Sequence, residues 1–234
     1  MNNDEINLTN DAYALHRILK TDIKKDPNVE EDEIIFGCGC FWGAEKCFWK
    51  LPGVITTSVG YAGGKKNNPT YYEVCSGLTG HSEVVRVIWD KREIDVSDLL
   101  KMFWECHDPT QKNRQGNDMG TQYRSAIYYK NENNIKAILA SKEQYQAELS
   151  KKNLGLIETE IKMIDSYFYA EQYHQQYLAS AGSRQYCSAS PTKAKLGVFT
   201  GSNYKLGDHI WKNFNWEVDK CVLRSDNNPI KNNI

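Results

Sequence analysis

The chain has 234 residues, and 29 Lys and Arg balance 30 Asp and Glu, so its formal net charge is −1. This balance gives no electrostatic footprint for nucleic acid or an anionic membrane. The longest nearly apolar run, residues 34–44, is too short to span a bilayer. The N-terminus lacks both a signal-peptide core and the Arg-rich, acid-poor pattern of a transit peptide. Seven cysteines, an odd number, favour free thiols in a reducing compartment. We expect a cytoplasmic monomer without nucleic-acid or membrane partners, and nuclear entry stays open.

The first 33 residues form a polar N-terminal extension that ends in the acidic stretch 26–33. Ala12, Leu15, Ile18 and Leu19 fall at helical spacing, which predicts a short helix or docking arm followed by a linker. A disordered tail fits the same composition equally well.

Core elements begin at Ile34 and alternate between strand and helix patterns. The pattern predicts a strand at 34–39, a helix at 44–51, a strand at 54–59, a glycine-rich loop at 60–64 that continues as turns to Gly80, and a strand at 83–89. Because side chains alternate along a strand, Glu83 shares a face with Val85, Val87 and Trp89. A carboxyl group therefore lies at the end of an apolar face.

The second half continues the same mixture. The pattern predicts a helix from Val96 to about Cys106, a polar loop to Thr121, a strand at 123–129, a helix at 131–150, a strand at 157–163, a helix at 170–179 and a long, mostly irregular tail over 182–234. The order of elements is α+β rather than strict βαβ.

Cys40 lies in the string Gly37-Cys-Gly-Cys-Phe-Trp-Gly43, between the first predicted strand and helix. Unpaired backbone N–H groups and the helix dipole at such a turn stabilise a thiolate, so Cys40 is a candidate nucleophile. Phe41 and Trp42 place aromatic surface beside the sulfur, which suits a small apolar group. On local composition alone, an inert buried cysteine is an equal alternative.

Several strings between Ile34 and Cys187 occur together in a fixed order. They are Gly39-Cys-Phe-Trp-Gly43, Val59-Gly-Tyr-Ala-Gly-Gly64, Asn68-Pro-Thr-Tyr-Tyr-Glu-Val-Cys75, Thr79-Gly-His-Ser-Glu83, His107-Asp-Pro-Thr110, Gln115-Gly-Asn-Asp-Met-Gly-Thr-Gln-Tyr-Arg-Ser125 and Ala170-Glu-Gln-Tyr-His-Gln-Gln-Tyr-Leu178. The series resembles the A-type peptide methionine sulfoxide reductases. The resemblance implies thiol-dependent reduction of methionine S-sulfoxide, protein-bound or free, to methionine.

The resemblance assigns the chemical step to a few side chains. Cys40 attacks the sulfoxide sulfur, and Glu83 donates a proton to the departing oxygen, which needs protonation because it is a poor leaving group. Tyr71 and Tyr123 hydrogen-bond the same oxygen. Burial of Glu83 favours the neutral form that this role requires.

Substrate contacts also follow from the resemblance. Phe41 and Trp42 hold the terminal methyl group, which orients the sulfoxide and selects its S epimer. Asp118 binds the substrate main chain or an ordered water, and Tyr186 completes the substrate-binding set.

The resemblance implies that Cys187 resolves the sulfenic acid formed on Cys40 and that thioredoxin, or another dithiol, reduces the resulting disulfide. No bound cofactor and no metal are expected. The tail departs from the family pattern, because it continues past Cys187 as Ser188-Ala-Ser-Pro191 and carries one further thiol, Cys221. Cys221 is either a redox relay or a bystander. We expect the other cysteines to be packed thiols: Cys38, Cys47, Cys75 and Cys106.

Two other functions are compatible with single features. Cys38, Cys40 and Cys47 with a histidine suggest a metal-binding module, although the paired spacing of structural zinc sites is missing. A cysteine hydrolase would use His81, His107 or His174 as base for Cys40. For the fold, the resemblance implies a ferredoxin-like two-layer α/β sandwich. The catalytic domain then covers 34–187, and a largely irregular tail covers 188–234.

Overall fold

The computed structural model describes residues 15–164, 166–218 and 220–232. The strands are β1 Glu31–Cys38, β2 Val54–Ala62, β3 Ser82–Asp90, β4 Arg114–Gln115, β5 Asp118–Met119, β6 Ser125–Tyr129, β7 Glu160–Met163 and β8 Tyr167–Tyr169. The helices are α1 Phe41–Trp49, α2 Tyr71–Cys75, α3 Val96–Cys106, α4 Ile135–Lys151, α5 Asp208–Trp211 and α6 Cys221–Arg224. Short 3-10 turns cover Thr121–Tyr123, Glu132–Asn134, Gln172–His174 and Tyr177–Ala179. No helix in the described residues has the length and apolar content needed to cross a membrane.

A mixed sheet organises this α+β fold. Its strand order is β7-β6-β1-β3-β2-β8, in which β6 and β7 run parallel and the other neighbours run antiparallel. Strands β4 and β5 form a separate small hairpin. At Gly60 of β2, the carbonyl of Phe168 occupies the space that a Cβ atom would need, so this glycine lets β8 approach the sheet.

The predicted alternation along β3 is present. Val85, Val87 and Trp89 are buried in the main core cluster, whereas Val84 belongs to a second cluster on the other face. The main core lies beneath α1 and α3, where the ring of Phe36 stacks on Phe48 at 4.8 Å. Glu83 therefore sits at the edge of this core, at the start of a buried strand.

The tail is irregular over most of its length, but it packs into the same core. Its buried apolar side chains include Leu196, Phe199, Ile210, Phe214 and Val222. Lysines of the α1 segment hold its end by polar bonds: Lys46 donates to the carbonyl of Ser225 at 2.7 Å, and Lys50 donates to those of Asp226 and Asn228, each at 3.0 Å. The tail therefore packs against the core and is bonded to α1 at its end.

The predicted N-terminal helix is wrong over its described part. Residues 1–14 lie outside the described residues, and from Leu15 the chain makes a turn in which Leu15 bridges to Asp22. The buried His16 accepts the backbone N–H groups of Ile18 and Leu19 on Nδ1, and its Nε2 bonds Thr57 at 2.9 Å. The His16 side chain thus accepts two backbone N–H groups that backbone carbonyls would accept in a helix.

The predicted helix at 170–179 is also wrong. Gln176 has a left-handed φ of 46°, and the side chain of Gln175 bonds both the N–H and the carbonyl of Val59. The side chain of Gln176 bonds Glu45 of α1. Because both glutamines bond other elements, the segment folds as two 3-10 turns. Two smaller differences occur earlier, because β2 continues through the expected loop to Ala62 and the turn-rich segment contains α2.

A buried carboxyl, Glu45, predicts a pH dependence of stability. Glu45 accepts bonds from the Thr57 hydroxyl at 2.9 Å and from the Gln176 side-chain amide at 2.7 Å and backbone N–H at 2.8 Å, and burial raises its pKa to about 7. The folded chain keeps this proton up to about pH 7, whereas the unfolded chain loses it near 4.5. The free energy of unfolding should therefore fall as pH rises through this window, by about 3 kcal/mol from this group.

Urea unfolding at several pH values tests this prediction. Glu45→Gln should flatten the pH slope between 4.5 and 7, and Glu143→Gln, at an exposed position of α4, should leave it unchanged. The same slope in all three proteins would contradict the assignment.

Candidate active site

Cys40 lies between β1 and α1, where the sequence places it at the start of a helix. It is the N-cap residue of α1 and is 8% exposed. The turn depends on Gly39, which has a φ of +86° and whose added Cβ would lie 2.5 Å from the side chain of Gln115. Only glycine fits both the left-handed backbone and this close approach.

Glu83 reaches the same turn from the start of β3. Its Oε2 accepts the backbone N–H of Phe41 at 3.1 Å, and the residue is 2% exposed. Burial raises the pKa of Glu83 to about 8; the Phe41 bond opposes this shift, and the charge of Asp118 adds to it. At neutral pH the group is a carboxylic acid with an O–H that can donate.

The Cys40 thiol behaves differently from the expectation based on the helix N-terminus. Burial raises its pKa well above the usual value, the charges of Glu83 and Asp118 raise it further, and only the backbone N–H of Trp42 opposes them. Desolvation in this site outweighs the helix dipole, because the sulfur is enclosed and faces acidic neighbours. The resting site therefore contains a protonated thiol.

Two tyrosines reach the site from separate segments. Tyr71 opens α2, and Tyr123 ends the 3-10 turn Thr121–Tyr123. Burial raises the pKa of both phenols, and the charge of Glu83 contributes to both shifts. Both hydroxyl groups stay protonated at neutral pH and can donate hydrogen bonds. A capping box between Thr70 and Glu73 fixes the start of α2, and its T-x-x-E pattern is the signal that could have predicted this helix.

Asp118 and Tyr186, both expected to bind substrate, are in direct contact. The Tyr186 hydroxyl donates to Oδ1 of Asp118 at 2.6 Å. This bond joins the β4–β5 hairpin to the chain immediately before Cys187. Phe41 is fully buried, whereas Trp42 is partly exposed and stacks on Tyr177 at 3.9 Å.

Cys187 lies against α1, one helical turn from Cys40. A Cβ added to Gly43 would lie 2.5 Å from the Cys187 sulfur, and the charge of Cys187 contributes to the raised pKa of Cys40. Cys187 is 4% exposed, and burial raises its pKa to about 12. The role of Gly43 was not recognised from the sequence, because only the position of Cys187 makes a side chain there unacceptable.

The remaining thiols divide into two locations. One cavity beside α1 is lined by Cys187 together with Cys38, Cys47, Cys106 and Cys221. Cys75 lies apart, at the end of α2, where burial raises its pKa and the neighbouring Tyr71 hydroxyl opposes this shift.

The candidate bases of a hydrolase are engaged elsewhere. His81 bonds the backbone of Gly64 and Lys66, His107 bonds Phe103 and Ser125, and His174 accepts the indole N–H of Trp42. In the part of the chain that the structure describes, no histidine hydrogen-bonds the Cys40 sulfur.

One group of potential metal ligands, Cys38, Cys106 and His107, lies within 4.8 Å. Both ring nitrogens of His107 are already bonded, to Phe103 and Ser125, at 2.8 Å each. The imidazole would have to give up one of these bonds to ligate an ion.

The raised pKa of Cys40 can be measured by pH-dependent alkylation, with the Cys40 peptide followed by mass spectrometry. We expect a midpoint above that of an ordinary thiol. Glu83→Gln should lower this midpoint, because an amide carries no charge above pH 8. Cys221, whose raised pKa has no contribution from Glu83, is labelled in the same samples as the internal reference. A midpoint below the ordinary thiol value in the substrate-free protein would contradict the desolvation argument.

Comparison with known proteins is consistent with this geometry. The family model described as peptide methionine sulfoxide reductase matches residues 32–203. Peptide methionine sulfoxide reductase MsrA of Vibrio vulnificus strain CMCP6 is 53% identical over 178 residues, which cover 76% of this chain and 85% of that protein. The MsrA of Azotobacter vinelandii is 60% identical over 147 residues, covering 63% and 68%.

Solved structures give the same result. Methionine sulfoxide reductase A of Corynebacterium diphtheriae superposes with a TM-score of 0.67 at 41% identity, covering 78% of this chain and 88% of that one. The reduced form of Mxr1 from Saccharomyces cerevisiae has a TM-score of 0.64 at 34% identity, covering 71% and 93%.

Proposed function

Since the chain belongs to the peptide methionine sulfoxide reductase family, we propose that Cys40, Glu83 and Cys187 carry its reaction. The activity is that of MsrA, the reduction of methionine S-sulfoxide to methionine. The observation that carries the assignment of residues is the buried, neutral carboxyl of Glu83, which bonds the residue next to the Cys40 thiol.

In the first step the Cys40 sulfur attacks the sulfoxide sulfur, and Glu83 gives a proton to the oxygen. An S–S bond forms as the S–O bond breaks, and the oxygen leaves as water. A water molecule then attacks the Cys40 sulfur, the S–S bond breaks, methionine leaves, and Cys40 becomes a sulfenic acid. The sulfoxide is thereby reduced by two electrons and the thiol is oxidised by two. The thiol proton replaces the one that Glu83 has donated, so no net proton is taken up. Because the resting Cys40 thiol is protonated, it can pass its proton to Glu83 only when Glu83 has given its own proton to the bound sulfoxide. Activation of Cys40 is therefore coupled to substrate binding.

The neighbouring side chains orient the sulfoxide. The protonated hydroxyls of Tyr71 and Tyr123 donate to the oxygen and stabilise the charge that develops on it. Phe41 and Trp42 enclose the methyl group, and the bonded pair Asp118 and Tyr186 binds the polar main chain of the substrate. The site thus holds the oxygen, the methyl group and the main chain of the substrate at three different places. Only the S epimer can make all three contacts.

In the second step Cys187 condenses with the sulfenic acid. Its thiol attacks the Cys40 sulfur, a disulfide forms, and water leaves. Support comes from the position of Cys187 over Gly43, one helical turn from Cys40, where a Cβ atom would lie 2.5 Å from the Cys187 sulfur.

We also propose thioredoxin, or a smaller dithiol, as the external reductant. Cys40 and Cys187 are both buried, whereas Cys221 is partly exposed and lines the same cavity as Cys187. Cys221 can therefore accept the disulfide from Cys187 and present it at the surface, where two electrons from the reductant restore both thiols. The same free thiols support a reducing, cytoplasmic compartment. The proposed substrates are oxidised proteins and free methionine sulfoxide.

For the architecture we propose a ferredoxin-like catalytic domain at 34–187 with extensions at 1–33 and 188–234. The strand order β6-β1-β3-β2, connected through α1 and α3, supports the ferredoxin-like core.

Two serine variants separate the steps. Cys40→Ser should abolish methionine release. Cys187→Ser should release one equivalent of methionine per enzyme and then stop under thioredoxin, because the sulfenic acid is not resolved. Methionine counted by chromatography after rapid mixing gives both numbers. Substantial turnover by Cys40→Ser, or unimpaired cycling by Cys187→Ser, would contradict the respective assignment.

Gly43→Ala isolates the contact between α1 and Cys187. The added methyl group displaces the Cys187 sulfur, so disulfide formation should slow by about tenfold or more while the first equivalent of methionine is released at the normal rate. Gly197→Ala is a suitable control, because its Cβ meets only ordinary contact with Gln144 at 3.5 Å. Normal disulfide formation in Gly43→Ala would argue against Cys187 as the resolving thiol.

A further inference from the structure

The segment Gln172–Ala179 surrounds Trp42 with two contacts that the reaction steps above do not use. The indole Nε1–H of Trp42 donates to Nδ1 of His174 at 3.1 Å. The indole face stacks on the ring of Tyr177, with 3.9 Å between centroids and 17° between planes. One side chain of the segment therefore fixes the edge of the indole and another fixes its face.

His174 is built to accept this bond. Burial lowers its pKa to about 4, so the ring is neutral at physiological pH and carries a single proton. Because Nδ1 accepts from Trp42, the proton lies on Nε2. Nε2 is buried and has no hydrogen-bond partner among the described residues. Its surroundings are aromatic, with the rings of Phe41, Tyr71 and Tyr173 at 5.1, 4.5 and 4.3 Å from the imidazole.

The backbone that carries His174 is fixed from both sides. Gln175 bonds the backbone of Val59 in β2, and Gln176 bonds the buried Glu45 of α1. These bonds therefore fix the position of the imidazole relative to α1, the helix on which Trp42 lies.

We propose that His174 is a positioning residue that fixes the Trp42 indole and thereby sets how tightly the site fits the methyl group of the sulfoxide. This inference rests on the proposed role of Trp42 as part of the methyl pocket. A contact of this kind acts equally on bound substrate and transition state, so its loss changes KM and leaves kcat nearly unchanged.

A pair of amide substitutions tests the proposal. Asn places its side-chain oxygen at the position of the imidazole Nδ1, whereas Gln places it one bond further from the backbone. His174→Asn should keep KM within about twofold of the wild type. His174→Gln should raise KM by up to about tenfold, since the loss of one hydrogen bond has an effect of this size. Thermal unfolding of both variants verifies the fold, and the matched pair keeps the comparison valid if both are equally destabilised.

Substrate selectivity gives a second measurement. The ratio of kcat/KM for the S-sulfoxides of methionine and ethionine reports how closely the pocket fits a methyl group. His174→Gln should lower this ratio by about fivefold, and His174→Asn should preserve it. In a Trp42→Phe background, which has no indole N–H, the Asn and Gln variants should behave alike.

Equal effects of the two amides in the wild-type background, or the same difference between them with Phe at position 42, would overturn the proposal. Failure of the proposed methyl pocket is distinguishable from this result. In that case Trp42→Ala alone would leave the methionine-to-ethionine ratio unchanged.

Discussion

The hydrogen bond from the backbone N–H of Phe41 to the carboxyl of Glu83 is the contact on which the site depends. It joins the start of α1 to the start of β3, so the residue after the proposed nucleophile stays beside the proposed acid. It also satisfies one oxygen of a carboxyl that burial keeps neutral, which leaves the O–H of that group for the substrate. This bond thus fixes the position of the proposed acid beside the Cys40 turn, while burial keeps the acid protonated.

Around this bond, the proposed substrate contacts come from different parts of the chain. Tyr71 belongs to α2, Tyr123 to a 3-10 turn before β6, and Asp118 to the β4–β5 hairpin, which Tyr186 ties to the tail. Cys187 lies against Gly43 of α1 and also lines a cavity that Cys221 lines. The thiols are therefore arranged in the order Cys40, Cys187 and Cys221. The enclosure that raises the Cys40 pKa also limits solvent access to the sulfenic acid that we propose for Cys40. In the proposed cycle, the same burial that prevents a preformed thiolate protects the intermediate.

Local patterns predicted much of this structure, and tertiary contacts explain the rest. The alternation along β3 and the spacing in α3 were sufficient because both elements bury an apolar face. The helix expected at 170–179 failed because Gln175 and Gln176 bond β2 and α1, and no local pattern contains those partners. The motifs that the resemblance groups do lie together, because Glu83 bonds the backbone of Phe41, the residue after Cys40; the roles of Cys40 and Glu83 stay predictions. The direction of the Cys40 pKa could not be predicted, since burial and the charges of Glu83 and Asp118 outweigh the helix terminus.

The protonation state of Glu83 is the most direct test of its proposed role as the acid. Infrared difference spectra between the wild type and Glu83→Gln, recorded across pH, isolate the carboxyl vibration of this residue. We expect a protonated carboxyl at neutral pH that ionises with a midpoint of about 8. A carboxylate already present at neutral pH, with a midpoint near the ordinary glutamate value of 4.5, would contradict it.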